Sequence, residues 1–93
     1  MSYELEFHPD ALKEWLKLDK TMRDSFKKKL QERLLNPHVP ASKLTGQHDR
    51  YKIKLRNIGY RLVYQVFDSK LVIVVVAVGK RERNTVYKTA AKR

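Results

Sequence analysis

Three strand-forming runs follow one another with almost nothing between them: Tyr51–Arg56, Tyr60–Phe67 and Leu71–Val78, joined by "NIG" and "DSK". Connections this short leave no room for a crossover, so the three runs must be antiparallel neighbours. The last, "LVIVVVAV", is apolar throughout and needs cover on both faces. Gly79 is expected to break it. The first run alternates. Tyr51, Ile53 and Leu55 fall on one side of such a strand, and Lys52, Lys54 and Arg56 form a row of positive charge on the other.

Upstream, "YELEF" alternates and reads as a short strand, with Tyr3, Leu5 and Phe7 on one side. "HPDALKEWLKL" places a proline in a first turn, and Leu12, Trp15, Leu16 and Leu18 mark the expected apolar face of a short helix. Asp19 or Thr21 can cap a second helix, in which Met22, Phe26, Leu30 and Leu34 recur every four residues until Asn36-Pro37 stops it. Lys27, Lys28 and Lys29 on that helix read as a solvated face. Residues 37–49 read as a loop, and the segment after Gly79 as a loop entering a short helix that carries Tyr87. The expected fold is α+β, in the order β-α-α-β-β-β-α. A two-helix hairpin covers one face of an antiparallel sheet, and the tail leaves the other face open or partly covered. Residues 1–93 form one expected domain.

Charge narrows the function. The chain carries a net +11, and the excess is uneven. Residues 1–46 hold nine Lys/Arg against seven Asp/Glu, whereas residues 47–93 hold twelve against three. A one-signed half attracts polyanions, so nucleic acid or an acidic protein segment is the expected partner class. Cysteine is absent, which excludes a disulfide framework and a thiolate metal site. "MSYELEFHPD" has acidic residues where a secretory leader would be basic and then apolar, and "LVIVVVAV" is far shorter than the roughly 20 residues that span a bilayer. A cytoplasmic protein with no membrane partner is expected. His8, His38 and His48 have no regular spacing, so neither a metal site nor a histidine acid–base pair is indicated.

What remains is a constellation of Lys, Arg and Tyr. Arg61 is the sole charge inside Tyr60–Phe67, where a cation facing other cations costs stability. Lys80, Arg81 and Arg83 follow the apolar strand, and Tyr87 lies four residues beyond Arg83. Three chain segments thus bring cations toward one side of the sheet, an arrangement that an anion would relieve.

The stretches "ALKEW", "YKIKLR", "GYRLVYQV" and "VGKRER" followed by "VY" resemble the RelE family of bacterial toxins, and the resemblance covers essentially the whole chain. It implies the RelE/ParE toxin fold, which is similar to that of small microbial ribonucleases but has basic residues in place of their His/Glu pair. It also implies a ribosome-dependent mRNA endoribonuclease of a type II toxin–antitoxin system. The family's catalytic set falls on Lys52, Lys54, Arg61, Arg81 and Tyr87, with Arg56, Lys80 and Arg83 as further RNA-binding residues. The implied reaction is attack of the RNA 2′-OH on the adjacent phosphate in the ribosomal A site, leaving a 2′,3′-cyclic phosphate. It calls for no metal and no cofactor. Fixed cations stabilise the charge that grows on the phosphorane, and the general base is either Tyr87 or Lys54. Implied partners are a RelB-like antitoxin, the 30S ribosomal RNA with its mRNA, and operator DNA reached only through the antitoxin, with which the toxin represses its own operon. The alternatives are a ParE-like inhibitor of DNA gyrase and a non-catalytic RNA-binding module.

Overall fold

The computed structural model describes residues 2–55, 59–80, 82 and 85–93. In chain order the elements are β1 (Glu4–Phe7), α1 (Pro9–Leu16), α2 (Lys20–Leu35), a single 3₁₀ turn (Pro40–Ser42), β2 (Arg50–Leu55), β3 (Tyr60–Phe67), β4 (Val72–Lys80) and α3 (Thr85–Ala91). The strands form one sheet in the order β1-β4-β3-β2. The expected Arg56 end of β2 and the Asn57-Ile58 part of its turn lie outside the described residues.

The helices begin where local chemistry satisfies their free N–H groups. His8 Nδ1 accepts from the Asp10 amide and Pro9 opens α1. Of the two candidate caps for α2, Asp19 fills the position: its carboxylate accepts from the Met22 amide at 2.8 Å. Phe26 and Leu30 are buried, and Met22 and Leu34 pack beside them, as their period of four requires. The apolar face of α1 differs from expectation. Ala11, Trp15 and Leu18 are buried, whereas Leu12 and Leu16 are 41% and 61% exposed. Positions 11, 15 and 18 share one stripe, and packing Trp15 between Phe7 and Phe26 turns Leu12 and Leu16 outward.

The sheet is mixed rather than antiparallel throughout. β2–β3 and β3–β4 are antiparallel, as their short turns demand, but β1 runs parallel to β4. Those two strands are separated by both helices and the other strands, so no tight turn fixes their relative direction. β1 pairs with β4 only as far as Val75. Beyond it the exposed edge is met by side chains: Glu14 accepts from the Val78 amide at 3.1 Å, and Arg93 donates to the Val76 carbonyl at 2.9 Å. Arg93 and Glu14 are themselves paired at 2.8 Å, which closes the edge with one ion pair.

Gly79 does not end β4. The strand continues through it to Lys80 because the ladder to β3 continues, Arg61 pairing with Gly79 and Tyr60 with Lys80. Between Val63/Ala77 and Tyr64/Val75 the register shifts by one residue, at Val76. This bulge reverses the alternation of β4. Ile73 and Val75 face the helical hairpin, and past the bulge it is Val78 that does so, which leaves Ala77 and Gly79 on the other face. Both faces of β4 are therefore covered, as its composition requires. The first core joins α1 and α2 to the sheet. The second is formed by Val63, Val76 and Ala77 against Val86 and Ala90 of α3. No helix among the described residues is long and apolar enough to cross a membrane.

Candidate active site

The second sheet face carries the predicted row. Lys52 is paired with Val63, and Val63 with Ala77; two rungs on, Lys54 is paired with Arg61, and Arg61 with Gly79. α3 lies over β3 and β4 and packs Val86 and Ala90 onto Val63 and Ala77. The helix thus flanks the row on β2, and Tyr87, half-buried against that second core, sits on it.

Arg61 is the buried cation of the described residues, with 6% of its surface exposed. Its Nη1 donates to the Tyr60 carbonyl at 3.0 Å, and its buried Nε has no hydrogen-bond partner. A buried donor without a partner costs about 1–3 kcal/mol. Together with Lys54 directly across the ladder, this makes Arg61 a poor choice for stability. Lys52 and Lys54 are both half-buried.

Lys80 lies apart from this row. It is exposed and paired with Tyr60, whose ring packs toward the helical hairpin, so the register assigns Lys80 to the opposite face. Arg56, Arg81 and Arg83 lie outside the described residues. The three histidines form no metal cluster among the described residues. His38 is instead held between Tyr51 Oη and Asp68 Oδ1, each at 2.8 Å.

Two arginines not anticipated from sequence build the surroundings. Arg33 of α2 donates to the Lys52 carbonyl at 3.3 Å, to Tyr64 Oη at 2.8 Å and to Ser42 Oγ at 3.2 Å. Tyr64 in turn donates to the Pro37 carbonyl and stacks on Tyr51 at 5.6 Å. Arg33 thereby ties the backbone of β2 to α2 at the point where Lys52 emerges. Arg50 does the same for α3. It donates to Gln65 Oε1, to Gln47 Oε1 and to the Ala90 carbonyl in the last turn of the helix. Burial pushes its guanidinium below the ordinary arginine range. Arg50 shares the period-two parity of Lys52 and Lys54, a signal that was present in the sequence. Arg33 carries none, since its partners come from three distant segments.

The family model that matches residues 5–85 describes the ParE toxin of type II toxin–antitoxin system, parDE. The mRNA interferase toxin RelE of Escherichia coli strain K12 is 58% identical over 93 residues, covering 100% of this chain and 98% of its own. The chain belongs to the RelE family. Its fold agrees with solved RelE structures. An arginine double mutant of E. coli toxin RelE in the free state superposes with a TM-score of 0.92 at 56% identity, over 100% of this chain and 98% of that one. The toxin in the intact E. coli RelBE toxin–antitoxin complex gives 0.85 at 57% identity, over 88% of this chain and 100% of that one. Identity over the full length places the chain with RelE.

Proposed function

We propose that the chain is the toxin of a type II toxin–antitoxin pair and that it cleaves mRNA in the ribosomal A site by attack of the RNA's own 2′-OH. One observation carries the reading: the Lys54–Arg61 rung, in which a buried arginine with an unpartnered Nε faces a lysine beside the helix of Tyr87. A phosphate seated there accepts from Arg61 through its planar fork and from Lys52 and Lys54 as point charges. As the 2′-oxygen attacks, negative charge grows on the phosphorane and then on the departing 5′-oxygen. Cations already fixed in place stabilise it without reorganising. Arg81 extends this set by family resemblance. The 2′-OH proton goes to Tyr87 or Lys54. The histidine–carboxylate pairs found among the described residues, His38–Asp68 and His48–Asp49, include no member of the row, so alignment of the RNA by the ribosome supplies a large part of the acceleration. The protein acts in the cytoplasm, and a RelB-like antitoxin with an acidic segment covers the row and represses the operon together with it.

The match to the ParE model is what a gyrase-directed reading has in its favour. The cation row counts against it, because blocking gyrase requires no array for phosphorane charge. Both readings meet in one experiment. The purified protein is mixed with one mRNA, either free or threaded through ribosomes with an empty A site, and RNA ends are mapped. Cuts confined to the A-site codon support the nuclease. Intact RNA in both arms, with DNA breaks on induction in cells, would transfer the chain to the gyrase reading.

A further inference from the structure

α2 and β2 enclose a depression of about 300 Å³ at the outer edge of the sheet. Lys29, Arg33, Ser42, Lys52 and Lys54 are among the residues that line it. No acidic residue is among its described lining residues. The salt bridges among the described residues include neither Lys29 nor Arg33 nor Lys52, and the three hydrogen-bond partners of Arg33 are all neutral. Lys29 and Arg33 are four apart on α2 and so project from the same side of the helix. Arg33 is held in place by three separate segments. Cations from two elements thus converge on one concavity, one of them rigid, with a hydroxyl beside them. Their mutual repulsion is relieved by a compact anion.

We infer that this depression is a second phosphodiester seat, which takes an RNA backbone phosphate next to the one that is cleaved. The inference rests on the proposed function, and it reassigns Lys29 from the solvated face of α2 to a binding role. Lys52 and Lys54 belong both to the cation row and to the wall of the depression, so one RNA backbone can run from the cleavage rung over the edge of β2 into it. The size accommodates a phosphate and its ribose. An arginine fork and lysine point charges are the usual set for such a group.

Lys29→Gln tests it, with Lys27→Gln as the control, which removes the same charge from an exposed position of the same helix. Affinity is measured for ribosomes carrying mRNA with a 2′-deoxy A-site codon, which cannot be cut, across a salt series. Lys29→Gln should bind several-fold more weakly and reduce the salt slope by about 1, the signature of one lost phosphate contact. Lys27→Gln should leave the slope unchanged, and Lys29→Arg should restore affinity. Cleavage of normal mRNA should show the loss in KM rather than kcat. Repeating the binding with mRNA truncated before the A site separates the sources. A deficit that vanishes there places the mRNA in the seat, as inferred; one that persists would overturn the inference by placing a ribosomal RNA phosphate there. Equal behaviour of the Lys29 and Lys27 variants would overturn the inference in favour of a general field. So would weakened binding of an acidic antitoxin peptide with ribosome affinity intact. Wild-type cleavage in parallel keeps the two readings separable: if wild type fails to cut, the proposed nuclease function is at fault.

Discussion

Lys54 stands directly opposite Arg61 in the β2–β3 ladder, and Gly79 completes the rung on β4. Two cations in register oppose each other where a stable sheet would place opposite charges or apolar residues. The rung also holds the unpartnered Nε of Arg61 among buried neighbours. This is a local cost concentrated at the point where chemistry is proposed.

Arg61→Met removes the buried charge and the orphaned donor while keeping a long apolar stem. Single-turnover cleavage of A-site mRNA should fall by about 10²–10³, as for loss of one transition-state contact. The melting temperature should stay level or rise. A fall of several degrees would assign Arg61 a structural role instead.

Tyr87 separates two roles in the reaction. Tyr87 packs against the second core, and Tyr87→Phe preserves that contact while deleting the hydroxyl. If the phenol is the base, Phe should lose about 10²–10⁴ in rate, nearly as much as Ala. If the ring orients the nucleotide by stacking, Phe should retain most activity and Ala should not. Single-turnover rates for the two variants decide between Tyr87 and Lys54 as base.

Arg33→Met tests the support beneath Lys52. It deletes the hydrogen bonds to the Lys52 carbonyl, Tyr64 Oη and Ser42 Oγ, whereas Tyr64 keeps its bond to Pro37. Urea denaturation should show a loss of about 2 kcal/mol, the scale of a charged hydrogen-bonding group. An unchanged midpoint would mean that water replaces these contacts without cost.

Asp68 predicts an acid-side effect. The Tyr3 hydroxyl at 2.6 Å, and then His38 at 2.8 Å, hold its carboxyl below the ordinary carboxylate range. A carboxylate whose folded pKa is depressed contributes stability that is present above its unfolded value and is lost as pH falls through the folded value. The denaturation midpoint of wild type should therefore decline more steeply than that of Asp68→Asn below about pH 4. Parallel pH series would show this as converging midpoints in acid. Curves that remain parallel would remove Asp68 from the pH dependence.

The order of elements was legible because it rests on local chemistry. A period of four placed Phe26 and Leu30 inward, alternation placed Lys52 and Lys54 on one face, and two short turns made three strands antiparallel neighbours. Where neighbours are remote in sequence, local pattern carries no direction or partner. Parallel pairing of β1 with β4, the outward turn of Leu12 and Leu16, and the grip of Arg33 on Lys52 were all settled by packing. The clearest case is Val76. In the uniformly apolar "LVIVVVAV" no position is marked as the extra one, since both faces of the strand are covered and every residue suits either face. Only the ladder to β3 selects Val76 for the bulge, and that shift sends Val78 to the core and brings Gly79 alongside Arg61.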